Sequence, residues 1–205
     1  PVRILWVFSL LTAFFSAFLD NVTTVLFMAP VVMTLCLKLK LPPVPFMIAV
    51  VLASNTGGTT TLIGDPPNII IGSFAGKSFN DFLVNVAPYA IVAFFVGVGV
   101  MQLLLQRQGL LRATASNAEL AAIATNKTDN SEIDWKLLRI SVIVFFITVA
   151  AFILHSRLGL ESGVIALTMA SVLALVSRIS PVWFLEKVEW VTLVFFAGLF
   201  IVVGG

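Results

Sequence analysis

Long apolar runs, interrupted by short polar breaks, fill most of this 205-residue chain. The first two runs, at residues 4–19 and 22–37, are separated only by Asp20 and Asn21, and each is slightly shorter than the roughly 20 residues that span a bilayer. A break this short leaves no room for a solvated loop. The economical interpretation is a re-entrant helical hairpin over residues 4–37. The alternative is two ordinary spans joined by a tight turn, with Asp20 as a helix N-cap.

A second kind of interruption lies inside the next apolar region, where residues 53–70 contain three glycines, two prolines, four threonines and an aspartate. Glycine and proline break a helix, and lipid cannot satisfy the backbone groups that the break exposes. The pattern therefore predicts one broken crossing over residues 44–75: a half-helix at 44–54, an unwound stretch, and a second half-helix that Asp65 caps and Pro66 begins. Interrupted helices of this kind build midplane binding sites in secondary transporters.

The remaining pattern predicts four ordinary spans and one long polar segment. The polar segment covers residues 107–136 and indicates a linker between two halves of the chain. Its mixed charges and lack of long apolar runs argue against a folded domain of its own. The spans cover residues 82–105, 137–155, 162–177 and 190–203.

The positively charged residues favour one orientation of these spans. If the hairpin enters and leaves on one side and each later span crosses, ten lysines and arginines share that side and only Lys77 and Arg157 lie opposite. An excess of this kind marks the cytoplasmic side, so the linker is expected in the cytoplasm. Counting residues 44–75 as two crossings would erase the bias. The ten residues are Arg3, Lys38, Lys40, Arg107, Arg112, Lys127, Lys136, Arg139, Arg178 and Lys187.

Composition assigns the chain to a class of protein. It is 60% hydrophobic, has a mean hydropathy of +1.09 and carries only 11% charged residues, against about a quarter in a soluble domain. We therefore expect an all-α polytopic membrane protein in a lipid bilayer, and the net charge of +2 gives no indication of nucleic acid as a partner. The single cysteine, Cys36, excludes an internal disulfide or a multi-cysteine metal site. Because the chain begins at Pro1 and ends inside an apolar run, a longer parent protein is expected.

Four segments carry a resemblance to a known family. NTGGT at residues 55–59 and LIGDPPN at residues 62–68 resemble the signature of the ion transporter superfamily, and the GDPPN run is its specific part. FLDNVTT at residues 18–24 and the segment that starts with VEW at residues 188–190 agree with it. The resemblance is strongest to the group of arsenite permeases (ArsB type) and the P (pink-eyed dilution) protein. This group is related to the NhaD-type sodium/proton antiporters and to the citrate/dicarboxylate transporters.

The resemblance implies an architecture and an activity. It favours the re-entrant hairpin and implies two inverted repeats, with residues 1–106 as the first and residues 137–205 as the start of the second. It implies a secondary active transporter, not an enzyme: a permease for an inorganic or small organic anion, such as arsenite for efflux, coupled to H+ or Na+ and without another cofactor. We expect a homodimer in a prokaryotic plasma membrane. The missing C-terminal half of the same protein would complete the site, so this chain alone is expected to carry no substrate.

Other functions share some of these features. A sodium/proton antiporter is the main alternative, and a passive ion channel is another, since no sequence feature separates a channel from a carrier. A membrane aspartyl protease would need a Gly-x-Gly-Asp motif, whereas the chain has LIGD at residues 62–65, followed by two prolines. SNT at residues 54–56 spells a motif of dicarboxylate transporters. It lies in the broken helix and not at the hairpin tip, so we do not infer dicarboxylate transport from it.

The polar side chains of the two interruptions are the candidate ligands. Amide, hydroxyl and freed carbonyl oxygens suit a hard cation such as Na+, and exposed N–H groups at half-helix N-termini suit an anion. The alternative is that each hydroxyl bonds back to its own helix, which we expect for Thr34, Ser54 and Thr61. The candidate Na+ ligands are Asn21, Thr24, Gly57 and Thr59. The full set of candidate substrate and ion ligands is Asn21, Thr23, Thr24, Asn55, Thr56, Gly57, Gly58, Thr59, Thr60 and Asn68.

Two aspartates, Asp20 and Asp65, are the only carboxylates predicted at membrane depth. An ionised carboxylate is costly there, so such residues are functional candidates by default. Both are therefore candidates for proton coupling. The alternative for each is a structural role as a helix N-cap, in which the carboxylate accepts backbone N–H groups.

Overall fold

The computed structural model describes an all-α protein that divides into two compact units. One unit comprises Pro1–Asn130 and the other Ser131–Gly205. The part of the chain that the structure describes contains no strand, and the predicted fold class, an all-α polytopic membrane protein, is confirmed. Most of the predicted linker, at residues 110–134, lies outside the described residues. The structure describes residues 1–109, 135–177, 180–186, 188 and 190–204.

Residues 1–109 of the first unit form six helices: α1 (Val2–Ser16), α2 (Asn21–Leu39), α3 (Pro43–Gly58), α4 (Pro66–Ala75), α5 (Phe79–Asn85) and α6 (Ala87–Arg107). α1 and α2 form a helical hairpin, joined by a turn at residues 17–20. α2 exceeds the predicted arm because the helix continues through Lys38. It ends where Lys40 takes the left-handed conformation, with φ at 55°. At 19 residues, α2 is long and apolar enough to cross a membrane.

α3 lies at the centre of this unit and packs against α1, α2 and α6. Its apolar residues point in all directions around the helix, as in a helix that is enclosed by protein or lipid. Each arm of the hairpin is thereby held against the first half of the broken crossing. α3 contributes Phe46, Ala49, Val50 and Ala53 to the core, and its neighbours contribute Leu5, Phe8, Met28, Val32, Cys36, Phe94, Val98 and Leu105.

The predicted interruption between two helices is present, with one difference from the predicted bounds. α3 continues through Gly58, whereas the sequence predicted a half-helix that ended at residue 54. Glycine lowers helix propensity without forbidding the helix, and packing against α1 holds this last turn in place. Residues 59–65 form the break. α4 then begins at Pro66, with Asp65 at the N-cap position, as predicted.

The predicted span at residues 82–105 is two helices. α5 begins with a capping box: Ser78 Oγ accepts the N–H of Asp81 at 3.2 Å, and a carboxylate oxygen of Asp81 accepts the N–H of Ser78 at 2.8 Å. The chain leaves α5 at Val86, because Pro88 has no N–H to continue the helical hydrogen bonds across the junction. α6 is 21 residues long and apolar enough to cross a membrane.

The described part of the second unit forms four helices: α7 (Trp135–Leu158), α8 (Ser162–Ser177), α9 (Pro181–Glu186) and α10 (Trp190–Gly204). α7, α8 and α10 occupy the ranges predicted as spans, whereas α9 lies between two of those ranges. α7 packs against α8. Of the helices in the described residues, α2, α6 and α7 are long and apolar enough to cross a membrane, and α1, α3, α8 and part of α10 are apolar but shorter.

Candidate functional site

The tip of the hairpin is a tight, internally bonded turn. The N–H groups of Phe18 and Leu19 donate to the carbonyl of Phe15 at 3.0 and 2.9 Å, which extends α1 by most of a turn. α2 starts directly afterwards because Asp20 caps it: a carboxylate oxygen accepts the N–H of Thr23 at 2.9 Å. Asp20 therefore has the structural role of an N-cap. This cap reverses the chain within four residues and sets the position of the first turn of α2.

The first turn of α2 meets the last turn of α3 through two asparagines. Nδ2 of Asn21 donates to Oδ1 of Asn55 at 2.9 Å, although 34 positions separate the two residues. The bond uses a donor of Asn21 and an acceptor of Asn55, so the amide oxygen of Asn21 and the amide nitrogen of Asn55 remain as groups for a ligand. The structure therefore brings together two candidate ligands that the sequence placed on separate interruptions.

Two buried hydroxyl groups add further contacts between the tip and the broken crossing. Ser16 Oγ donates to the carbonyl of Ser54 at 2.7 Å. Thr61 Oγ1 donates to the carbonyl of Ala17 and accepts the N–H of Gly64 at 3.1 Å. The hairpin tip is thus bonded both to the end of α3 and to the break that follows it.

The prediction that certain hydroxyls bond back to their own helix is confirmed in two cases and wrong in one. Ser54 Oγ donates to the carbonyl of Val51 at 3.0 Å, and Thr34 Oγ1 donates to that of Pro30 at 2.7 Å, as predicted. Thr61 instead donates to the carbonyl of Ala17 at the hairpin tip. Ser16 and Thr61 were not among the candidate residues, and a single sequence gives no signal that pairs them with positions 38 and 44 residues away.

Asn68 closes the break from the side of α4. Its Nδ2 donates to the carbonyl of Thr61 at 2.8 Å, to that of Gly58 at 3.3 Å and to that of Thr59 at 3.4 Å. These are carbonyls that the end of α3 leaves without helical partners. The amide nitrogen of Asn68 is thereby committed to the backbone, and a contact of Asn68 with substrate stays a prediction.

Three glycines allow backbone segments to touch at this junction. A Cβ at Gly57 would collide with the backbone of Ala13 in α1. A Cβ at Gly58 would lie 2.7 Å from the carbonyl oxygen of Gly64, and one at Gly64 would lie 2.6 Å from the carbonyl oxygen of Ser16. These glycines are therefore required for close packing of the hairpin, α3 and the break. Because glycine has no side chain, each would coordinate a ligand through its backbone carbonyl oxygen.

The threonines at the end of α3 have hydroxyls that bond within their own segment. Each donates to a carbonyl three or four residues earlier, so the donor is used, and each oxygen keeps lone pairs that can still coordinate a cation. Thr56 Oγ1 donates to Leu52 O at 2.9 Å, Thr59 Oγ1 to Asn55 O at 2.8 Å, and Thr60 Oγ1 to Gly57 O at 2.6 Å.

Thr24 has a different environment, in the first turn of α2. Its side chain is fully buried, and its hydroxyl has no hydrogen-bond partner. Among the described residues only Ser9 Oγ shares that condition. A buried polar group without a partner costs about 1–3 kcal/mol. A bound ion or water that contacts Thr24 would remove this cost.

The two carboxylates differ in their bonding. Asp20 is used as an N-cap, whereas the side chain of Asp65 makes no capping bond to α4. Within the described ranges there is no group of three or more histidine, cysteine, aspartate or glutamate side chains that would hold a metal ion.

The whole chain, residues 1–205, matches the model of the citrate transporter family, CitMHS. An uncharacterized transporter of Mycobacterium tuberculosis is 43% identical over 204 residues, which cover 100% of this chain and 46% of that protein. The magnetosome protein MamN of Magnetospirillum gryphiswaldense is 32% identical over 98% of this chain and 45% of its own length. The P protein of Sus scrofa is 32% identical over 94% of this chain and 31% of its own length.

These matches bear on the signature sequences described above. The resemblance to the ion transporter superfamily is confirmed, because both the family model and the P protein match nearly the whole chain. The chain spans less than half the length of the relatives named here.

Proposed function

Because this chain belongs to the citrate transporter family, we propose that the protein is a secondary active transporter, a permease that moves a small anion across the membrane together with or against H+ or Na+. One observation carries this proposal: the hydrogen bond between Asn21 at the hairpin tip and Asn55 at the broken helix. It joins two helix interruptions into one polar site surrounded by apolar helices. Sites of this construction serve small ions and their substrates in transporters.

Sodium is one candidate coupling ion. We propose that Na+ binds oxygen atoms of Asn21, Thr24, Gly57 and Thr59. One support is the amide oxygen of Asn21, which the bond to Asn55 does not use. The other is the buried hydroxyl of Thr24, which has no hydrogen-bond partner.

A proton is the other candidate coupling ion, carried by Asp20 or Asp65. The support is the position of both carboxylates at the two helix interruptions, where Asp20 precedes α2 and Asp65 precedes α4. Of the two, Asp65 is the better carrier, because its carboxylate has no capping bond to lose when it takes up a proton. A protein that exchanged Na+ for H+ at these groups without an anion would be an antiporter, which is the second candidate function.

The substrate is proposed as an anion of one of two kinds. The family description favours a carboxylate such as citrate, and the signature sequences favour arsenite, moved outward. The N-terminus of α2 supports an anion of either kind through its helix dipole, to which the carboxylate of Asp20 is already bound as N-cap. We propose that the transporter works as a homodimer in a prokaryotic plasma membrane.

Flux through the purified full-length protein in liposomes tests the function. Labelled arsenite, citrate and chloride would each be offered with a Na+ gradient, with a pH gradient and with neither. We expect saturable uptake of one anion that one gradient accelerates. Electrogenic flux far above carrier rates, insensitive to both gradients, would identify a channel, and Na+/H+ exchange with no anion flux would identify the antiporter.

Two substitutions connect that flux to the proposed site. Asn21→Ala and Asn55→Ala each remove an amide of the interacting pair, and we expect the KM for the coupling ion or the anion to rise by roughly tenfold, the effect of about 1.4 kcal/mol. Asn85→Ala is the matched control, because Asn85 is exposed and donates only to the carbonyl of Asp81 in its own helix, at 2.9 Å. Unchanged KM in both site variants would contradict the assignment.

A further inference from the structure

Two side-chain hydroxyls outside the candidate ligand set fasten the hairpin tip to the broken crossing. We propose that Ser16 and Thr61 are positioning residues that set the affinity of the site by holding Asn21 against Asn55. The affinity part of this proposal rests on the proposed transport function. The fastening itself does not depend on which ion is moved.

The contact of Ser16 attaches the tip to the residue next to Asn55. Ser16 is fully buried at the end of α1, and its Oγ lies 2.7 Å from the carbonyl oxygen of Ser54. Since Ser54 directly precedes Asn55 in the chain, this bond fixes the backbone from which the Asn55 side chain projects.

The contact of Thr61 attaches the other side of the tip. Thr61 is 1% exposed, donates to the carbonyl of Ala17 and accepts the N–H of Gly64 at 3.1 Å. Its own carbonyl accepts Nδ2 of Asn68 at 2.8 Å. The hydroxyl and the carbonyl of Thr61 are therefore both engaged, with three different segments of the chain.

The need for these contacts follows from the position of the asparagine pair. The bond between Asn21 and Asn55 lies at the surface of the first unit, with Asn55 exposed and Asn21 half-buried, and both amides keep groups that a ligand can engage. Such a bond is too weak to hold two helices in register by itself. The bond of Ser16 is buried and ends at Ser54, directly before Asn55. The bond of Thr61 is part-buried and ends at Ala17, four positions before Asn21.

Backbone packing at the same point makes the position of the tip sensitive to these two contacts. A Cβ on Gly64 would lie 2.6 Å from the carbonyl oxygen of Ser16 at the hairpin tip, and a Cβ on Gly57 would collide with the backbone of Ala13. This packing is permissive, since glycine offers no side chain to interlock. The directional hydrogen bonds of Ser16 and Thr61 fix the position of the tip against the broken crossing, which contacts between glycines alone do not.

Four substitutions in the full-length protein test the proposal. Thr61→Val keeps the shape and removes the hydroxyl, Thr61→Ser keeps the hydroxyl and serves as the rescue, and Ser16→Ala removes a single oxygen. Thr34→Val is the matched control, because it loses a hydroxyl that bonds only to Pro30 in its own helix. Each is made in a background without reactive cysteines and carries a nitroxide spin label on Leu19→Cys, since Leu19 is 38% exposed at the tip.

Two readouts are measured in liposomes: the mobility of the spin label from its electron paramagnetic resonance line shape, and KM separately from the maximal rate of flux. We expect a more mobile label in Thr61→Val and Ser16→Ala, together with a KM raised by roughly two- to tenfold at little-changed maximal rate. Thr61→Ser and Thr34→Val should match the parent in both. If Thr61→Val is not inserted into the membrane, the label mobility and KM of Ser16→Ala alone decide between the outcomes.

The outcomes separate this proposal from the proposed function. A label that is as immobile in Ser16→Ala and Thr61→Val as in the parent overturns the fastening role, whatever the flux shows. A mobile label with unchanged KM overturns the affinity role. If the parent moves none of the tested ions, the proposed function fails, while the line shape still decides whether Ser16 and Thr61 fasten the tip.

Discussion

At the scale of the residue, Gly57 illustrates how one missing Cβ organises the site. In this position the backbone of α3 touches the backbone of α1 at Ala13, and no side chain fits between them. The contact brings the end of α3 to the level of the hairpin tip. Only then do the side chains of Asn21 and Asn55 lie within hydrogen-bond distance.

Replacing Gly57 with alanine is therefore expected to destabilise the first unit. The added Cβ meets backbone atoms that cannot rotate away, and overpacking of this kind costs about 1–3 kcal/mol. The prediction is a lower Tm of the purified protein in detergent. Gly99→Ala in α6 is the control, because a Cβ there meets nothing within 4 Å and its Tm should stay the same or rise slightly. Equal Tm values for Gly57→Ala and the parent would contradict the packing argument.

Asp65 and Asp20 are expected to respond differently when their charge is removed. Asn can replace Asp20 as an N-cap, since its side-chain oxygen still accepts the N–H of Thr23. Asp65→Asn loses a titratable group that has no capping bond. We predict that Asp65→Asn flattens the pH dependence of flux more than Asp20→Asn does.

The measurement is initial flux between pH 5 and 8 with each variant at equal amounts in liposomes. Asp81→Asn is the control, because Asp81 is a capping carboxylate of α5, outside the site, and should keep the parent profile. If Asp20→Asn and Asp65→Asn both transport with the pH profile of the parent, proton coupling through these carboxylates is wrong.

At the scale of the element, the broken crossing is stable only because other groups replace its lost helical hydrogen bonds. Each helix end leaves carbonyl or N–H groups without partners, and lipid supplies none. The two hydrogens of the Asn68 amide are shared among three carbonyls, and Thr61 satisfies the N–H of Gly64. The break is thus an ordered element with its own hydrogen bonds.

Asn68→Leu is predicted to destabilise the protein although it keeps the size of the side chain. It leaves buried carbonyls unsatisfied, at a cost of about 1–3 kcal/mol, and should lower the Tm. Asn85→Leu removes an amide that also donates to a backbone carbonyl but is exposed, so its effect should stay within about 0.5 kcal/mol. Chemical or thermal unfolding in detergent measures both, and a larger loss in Asn85→Leu than in Asn68→Leu would refute the role of Asn68.

At the scale of the whole molecule, one contact bears on the orientation of the first unit. Nε1 of Trp6 in α1 donates to Oε1 of Gln102 in α6 at 2.5 Å. Because Arg3 lies before Trp6 at the start of α1 and Arg107 ends α6, both arginines belong to the same end of the unit. This is the arrangement required by the count of positive charges, with residues 44–75 as a single broken crossing.

We predict that this end faces the cytoplasm and that Lys77 faces outward. Lys40→Cys, Arg107→Cys and Lys77→Cys would be made separately in a full-length background that lacks Cys36. An impermeant maleimide should label Lys77→Cys on intact cells and the other two only after permeabilisation. Labelling of Lys40→Cys but not of Lys77→Cys on intact cells would reverse the topology.

The sequence by itself determined the class of protein and two of the places where helices are interrupted. Apolar runs, the Asp20-Asn21 break and the glycine–proline segment are local features, and a helix begins or ends for local reasons such as capping and backbone conformation. The signature at residues 62–68 also sufficed to indicate the superfamily. These are properties that neighbouring residues impose on each other, so they can be predicted without knowing the fold.

Only the tertiary structure decided which polar groups meet. The partners of Ser16, Thr61 and Asn21 lie 34 to 44 positions away, and no local pattern encodes such a pairing. Gly57 and Gly58 were predicted in an unwound stretch, yet they complete a helix because α1 packs against them. A glycine or a threonine is compatible with several local conformations and partners, and the packing of the hairpin on α3 selects one of them.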